Sequence, residues 1–134
     1  MKPDIAPSLI LAARVLTVVY GMILIVLAII PRIEATGLGP SDWLLHGLAY
    51  GAFGGLLLVS GMGRVGAAQG AVMAIGGAAA FGLVTEFLQL LIPYRSFEVR
   101  DVVADTAGAA VVVLFGLISL RIRGIPGPNQ LGGP

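Results

Sequence analysis

Four long apolar stretches, at residues 8–30, 43–60, 66–92 and 102–120, constrain this chain more than any other feature of its sequence. Each is close to or longer than the roughly 18 residues that an α-helix needs to cross the hydrocarbon core of a membrane. Hydrophobic residues make up 57% of the 134-residue chain and charged residues only 11%. The connecting segments are too short to bury a core of their own. We therefore predict an all-α fold, an integral membrane four-helix bundle.

The chain divides into a four-transmembrane-helix domain at 1–123 and a tail at 124–134, whose prolines and glycines predict no regular structure. The first apolar stretch is too long for a signal-peptide core, and no small-residue cleavage site clearly follows it, so we expect it to be retained as a span. The absence of cysteine excludes disulfides, thiolate metal sites and cysteine nucleophiles.

The basic residues predict an orientation. With four crossings, five Lys or Arg residues lie on the side of the termini and three on the opposite side. The positive-inside rule therefore predicts that both termini are cytoplasmic. Trp43 and Tyr94 fall at predicted membrane interfaces, where aromatic belts form. Asp4 is the one acid on the inner side. The acids of the outer half are Glu34, Asp42, Glu86, Glu98, Asp101 and Asp105.

Small residues recur at every fourth position of two predicted helices, a spacing that lets helix backbones approach closely. The stripe in the second helix is Gly47, Gly51 and Gly55, and the stripe in the third is Gly66, Gly70, Ala74, Ala78 and Gly82. The stripes predict a compact bundle, and they are also faces through which other membrane protein subunits would dock.

Polar residues concentrate where the second and fourth helices begin and the third ends. Their spacings of three or four residues place each set on one helical face. Ionisable residues within membrane spans are functional candidates by default, since a carboxylate near the bilayer centre costs about 2.5–3.5 kcal/mol. We therefore predict a ligand-binding polar pocket at the outer membrane face, formed by Asp42, His46, Tyr50, Glu86, Gln89, Arg95, Arg100, Asp101 and Asp105.

Each polar set has a functional and a structural interpretation. His46 with Asp42 and Glu86 forms either a general base with its orienting carboxylate or a hydrogen-bonded contact between helices. Glu86 and Gln89 contact either a substrate or another helix. One histidine and several carboxylates match no zinc-binding pattern, so we predict no metal and no cofactor, and a bound metal would have to be a hard cation held by oxygen.

The two arginines of the third connection also have two interpretations. Arg95 and Arg100 present paired donors that suit the phosphate of a lipid or lipid-linked sugar. Alternatively, they neutralise Glu98 and Asp101 and anchor the loop at the headgroups.

Other classes of function find no support in the sequence. The G-x-G-x-x-G sequence at 61–66 follows no strand and joins two membrane spans, so it is interpreted as a turn rather than a nucleotide site. No serine lies in a nucleophile-elbow context. Basic residues are few and scattered, which argues against nucleic-acid binding.

The order of the polar motifs resembles that of the VanZ-like family of small bacterial membrane proteins, whose namesake is associated with low-level teicoplanin resistance. The resemblance extends over residues 41–108 and is carried by Asp42, His46, Tyr50, Glu86-x-x-Gln89, Pro93-x-Arg95, Asp101 and Gly108. Two positions differ: Trp43 stands where family members often have lysine, and Asp105 where they often have asparagine. Both differences make the pocket more negative. The resemblance implies a location in the bacterial cytoplasmic membrane and supplies no reaction.

Two hypotheses follow from these patterns. In the first, the outward polar pocket binds an envelope lipid or an amphipathic glycopeptide-type ligand, with binding favoured over turnover. In the second, the chain is an accessory structural subunit of a larger membrane complex, and the polar residues only join its helices. A third, weaker hypothesis is an enzyme acting on the lipid, with His46 or Glu86 as base.

Overall fold

The structure, a computed structural model, describes residues 6–30 and 42–122, with the side chain of Asp42 excepted. Within these ranges the chain forms four helices: α1 (Pro7–Ile29), α2 (Asp42–Gly61), α3 (Ala67–Leu90) and α4 (Val99–Ile122). All four are long and apolar enough to cross a membrane. The predicted all-α membrane bundle is confirmed. The tail at 124–134 and the connection at 31–41 lie outside the described residues.

The helix boundaries differ slightly from the predicted spans. α3 ends at Leu90, two residues before the predicted limit, and α4 begins at Val99, three residues before it. Pro93 follows the end of α3 closely, as expected of a residue that cannot continue a helix. The early start of α4 places Asp101 within its first turn. The N-terminal end of a helix carries partial positive charge, which favours a carboxylate there.

The connection between α2 and α3 is a tight turn. Gly63 has a φ of 80°, a left-handed conformation that glycine adopts without the steric cost of a side chain. The backbone N–H of Arg64 donates to the carbonyl of Gly61 at 3.2 Å. The G-x-G-x-x-G sequence therefore forms a helix-to-helix turn, as predicted from the sequence.

α2 and α4 pack through the glycine stripe of α2. A Cβ atom added to Gly51 would lie 3.2 Å from the carbonyl oxygen of Gly108, and one added to Gly54 would lie 2.9 Å from the Cβ of Ala109. A Cβ added to Gly108 would collide with the carbonyl of Gly47. The contacting positions advance together along both helices, so α2 and α4 run parallel with their backbones in close approach.

The stripe of α3 is also used within the chain. Gly70, Ala74, Ala78 and Gly82 are all buried. Ala78 belongs to a core cluster with Tyr50 and Phe53 of α2, and the ring centroids of Phe53 and Phe81 lie 4.8 Å apart. The predicted close packing of the third helix is thus realised against the other helices of the same chain.

The loop between α3 and α4 is attached to the end of α1. Tyr94 donates its hydroxyl to the carbonyl of Ile29 at 3.0 Å, and Arg95 Nη2 donates to the carbonyls of Ile30 at 2.7 Å and Leu27 at 3.4 Å. The last carbonyls of a helix have no partner within it, and a cation there also interacts favourably with the helix dipole. Arg95 therefore joins the α3–α4 loop to α1.

Replacing Arg95 by glutamine is expected to lower the free energy of unfolding in detergent by about 1–2 kcal/mol, because charge-assisted hydrogen bonds to the α1 carbonyls are lost. The matched control is Arg100→Gln in the same region, where the side chain is 69% exposed and 3.7 Å from Glu98. Exposed ion pairs contribute little, so this variant should unfold within about 0.5 kcal/mol of the parent. Equal stabilities in thermal unfolding would show that the α1 contact contributes nothing.

Candidate polar site at the end of the bundle

Three helix ends meet where the polar residues were predicted to converge. The first turns of α2 and α4 and the last turns of α3 bring together His46, Glu86, Asp101 and Asp105, which we call the polar cluster. The three acids are essentially inaccessible, with 0% exposure for Glu86 and Asp105 and 1% for Asp101. The side chain of His46 is 17% exposed and forms the accessible part of the cluster.

His46 lies between two aspartates of α4. Its Nδ1 is 2.9 Å from Oδ1 of Asp105, and its Nε2 is 3.4 Å from Oδ2 of Asp101. Because the two aspartates are four residues apart, they share one face of α4 and contact opposite edges of the same imidazole. An N–H at Nδ1 donates to Asp105, and in this orientation of the ring Nε2 faces Asp101.

The two aspartates of α4 are partners of the imidazole in addition to Asp42 and Glu86, with which the sequence associated it. Asp105 and Asp101 flank the ring, and Glu86 offers a ligand-type atom within 4.8 Å of those of His46 and Asp101. The reason is the parallel packing of α2 and α4, which places the first turns of both helices at the same level. The side chain of Asp42, which belongs to the first residue of α2, lies outside the described part of the structure.

Glu86 connects α3 to the following loop. Its Oε2 accepts a hydrogen bond of 2.9 Å from the backbone N–H of Glu98, directly before α4. Its Oε1 is buried and has no hydrogen-bond partner. Three side chains of the cluster, Glu86, His46 and Asp101, each offer one nitrogen or oxygen atom of the kind that binds metals. These three atoms lie within 4.8 Å of one another. The carboxylate therefore contributes both to the loop and to the cluster.

Asp105 packs directly on the backbone of α3. A Cβ atom added to Gly82 would lie 2.5 Å from Oδ2 of Asp105, so only glycine leaves room for this carboxylate. That oxygen is buried without a hydrogen-bond partner. Sequence reasoning assigned Gly82 to helix packing and missed its role at the cluster. Its position one helical turn before Glu86 was the signal for it.

Tyr50 forms part of the core beneath the cluster. Its ring is nearly parallel to that of His46, with centroids 6.3 Å apart. Thr85 donates to the carbonyl of Gly82 at 2.8 Å, so its oxygen accepts the Tyr50 proton across a distance of 2.6 Å. Thr85 was also missed, because a single threonine in an apolar helix carries no distinctive pattern. Tyr50 thus connects α2 to α3 rather than entering an open pocket.

The remaining predicted residues lie around the cluster. Gln89 is buried on α3, one turn beyond Glu86. Arg95 directs its Nη2 to the end of α1. The exposed Arg100 side chain stands beside Glu98 at the surface. Of the eight predicted residues whose side chains the structure describes, four come together in the cluster and the other four, Tyr50, Gln89, Arg95 and Arg100, lie around it.

The family of the chain follows from a comparison with known proteins. The family model VanZ-LLP1, described as VanZ/LLP1, matches residues 12–120. This chain belongs to the VanZ/LLP1 family. The match contains α2, α3 and the whole polar cluster, so the resemblance based on the polar motifs is confirmed. Neither the comparison with curated proteins nor that with solved structures found a match.

The polar cluster contains more acidic than basic groups. With all four side chains ionised, three carboxylates and an imidazolium carry a net charge of −2. Burying uncompensated charge is unfavourable, so protons, cations and hydrogen-bond donors stabilise such a cluster, whereas further acceptors do not.

Proposed function

We propose that this VanZ/LLP1 family member binds the polar headgroup of an envelope lipid, or an amphipathic glycopeptide-type ligand, at the end of the bundle where α2 and α4 begin. The observation that carries the proposal is the placement of three buried carboxylates and a partly exposed histidine, from three helices, within membrane spans. Such groups are costly in a membrane and are generally retained for function. Apolar residues would hold the helices together without that cost.

The charges around the cluster indicate the chemistry of the ligand. Arg100 is a largely exposed cation suited to a phosphate or carboxylate at the headgroup level. His46, the accessible member of the cluster, and the negative charge of the carboxylates behind it favour a ligand that carries hydroxyl, amide or ammonium groups. A headgroup that carries an anionic group next to several hydrogen-bond donors complements both Arg100 and the polar cluster. Arg95, engaged with α1, holds the adjoining loop in place.

We further propose that the cluster faces outward from a bacterial cytoplasmic membrane and that both termini are cytoplasmic. The distribution of Lys and Arg supports this orientation. Trp43 and Tyr94, which are 49% and 58% exposed, lie at the same end as the cluster and suit a membrane interface. The headgroup would then approach from the outer leaflet.

The alternative, an accessory subunit, has less support from the packing. Its main sequence cues were the glycine-rich faces and the tail. The stripes of α2 and α3 pack inside this chain, and the tail lies outside the described residues. A stoichiometric large assembly after purification in mild detergent would nevertheless favour this alternative.

The lipid proposal predicts that Glu86→Gln and Arg100→Gln each reduce the amount of co-purified lipid about tenfold, equivalent to about 1.4 kcal/mol of binding free energy. Mass spectrometry of the protein purified in mild detergent measures lipid per chain. The matched control is Arg64→Gln, since Arg64 is an exposed arginine at the opposite end of the bundle. Unchanged lipid in both variants, or an equal loss in the control, would contradict the proposal.

A further inference from the structure

We propose that His46, Glu86 and Asp101 form a binding site for one divalent transition-metal cation of the Zn²⁺ or Mn²⁺ type. This inference goes beyond lipid binding and does not depend on it. The three residues each present one ligand atom within 4.8 Å of the others. Nε2 of His46 and Oδ2 of Asp101, 3.4 Å apart, have the separation expected of two atoms bound to a common cation at about 2.0–2.2 Å.

A second observation points independently to a bound cation. Glu86 is 0% exposed, and its Oε1 has no hydrogen-bond partner while Oε2 is held by the amide of Glu98. Leaving a buried carboxylate oxygen unpaired is costly. Coordination of a cation would satisfy Oε1 without disturbing the hydrogen bond that positions the side chain.

Asp105 supplies the outer partner that metal-binding histidines usually have. A ligating imidazole almost always donates its other N–H to a carboxylate, carbonyl or water, which sets its tautomer and orientation. Here Nδ1 lies 2.9 Å from Oδ1 of Asp105, which leaves Nε2 facing Asp101. Asp105 is in turn packed against the backbone at Gly82. This packing leaves the carboxylate of Asp105 little room to move away from His46.

The charge and the ligand types select the class of metal. A divalent cation with a neutral imidazole lowers the net charge of the cluster from −3 to −1, whereas protonation of His46 alone leaves −2. One imidazole with two carboxylates suits Zn²⁺ or Mn²⁺, whereas Ca²⁺ and Mg²⁺ are usually bound by oxygen ligands alone. The sequence predicted no metal because its ligands come from three different helices and form no local pattern.

Titration of the full chain in detergent with Zn²⁺ tests the site. The protein should carry no histidine tag and should first be stripped with EDTA. Isothermal titration calorimetry is expected to show one Zn²⁺ per chain, with affinity reduced at least about tenfold in Glu86→Gln and in Asp101→Asn. Glu98→Gln is the matched control, because it removes a nearby surface acid and keeps the backbone amide bound to Glu86.

Because His46 is the single histidine of the sequence, ¹⁵N-histidine labelling gives one imidazole to follow by NMR. Zn²⁺ is expected to shift Nε2 while Nδ1 remains protonated. If both nitrogens stay protonated and unshifted at saturating Zn²⁺, the cluster is an imidazolium bridging two aspartates, and the metal site does not exist. Binding that is equal in the parent and both cluster variants would also overturn the proposal.

Both cluster variants nearly preserve side-chain size, and helical circular dichroism verifies their folding. Measuring the lipid per chain on the EDTA-treated parent distinguishes a failure of the metal proposal from a failure of the lipid proposal. Lipid retained without Zn²⁺ binding would overturn the metal site alone, and Zn²⁺ binding without lipid would overturn the lipid proposal alone.

Discussion

Replacing Gly108 by alanine is expected to lower the free energy of unfolding by about 3 kcal/mol or more. The added Cβ would collide with the carbonyl oxygen of Gly47 and would lie 2.7 Å from its Cα. Both obstacles are backbone atoms, so no side-chain rotation relieves the contact and the two helices must separate. The higher helix propensity of alanine, worth about 1 kcal/mol, is too small to offset this.

Unfolding in detergent, followed by circular dichroism, measures the effect. The matched control is Gly76→Ala in α3, where an added Cβ has nothing within 4 Å. That variant should be as stable as the parent or slightly more stable, since only helix propensity changes. Equal stability of the two variants would mean that α2 and α4 do not approach as closely as described.

Replacing Asp105 by alanine is expected to destabilise the protein by about 2–3 kcal/mol, because Nδ1 of His46 loses its hydrogen-bond partner inside the bundle. This loss of stability is near the lower limit for breaking a buried charged pair, because the His46 side chain is 17% exposed. A cavity beside Gly82, which now contacts the carboxylate, adds to the loss.

Asp105→Asn is the matched comparison, because it removes the same charge and keeps an oxygen at Oδ1. Relief of repulsion among the carboxylates is common to both variants, so their difference isolates the hydrogen bond and the packing. We expect the alanine variant to unfold about 2 kcal/mol more easily than the asparagine variant. Identical unfolding curves would show that the imidazole does not depend on Asp105.

Much of the polar cluster could be predicted from helix ends alone. Short connections force the start of α2, the end of α3 and the start of α4 to one face of the bundle, so His46, Glu86 and Asp105 had to be close. Their pairing was not predictable. Helical spacing places Asp42 and His46 on one face as well as Asp101 and Asp105, and nothing local decides which carboxylate meets the imidazole.

Arg95 and Arg100 also differ in a way that the sequence could not predict. Both lie in the loop next to the cluster, and the sequence treated them alike. Arg95 reaches the carbonyls at the end of α1, whereas Arg100 remains exposed. That difference depends on where α1 ends relative to the loop, which is a contact between residues more than sixty positions apart.

The amino-acid sequence by itself determined the class, number and approximate limits of the helices, because a chain in hydrocarbon must satisfy its backbone hydrogen bonds within long apolar segments. It also determined which end of the bundle is polar. Only the tertiary structure decided the partners of His46 and the exposure of each arginine. The exposure of each arginine depends on where α1 ends relative to the α3–α4 loop. The partners of His46 depend on how α2 and α4 rotate against each other, and that rotation follows from the close backbone contact of Gly47 with Gly108.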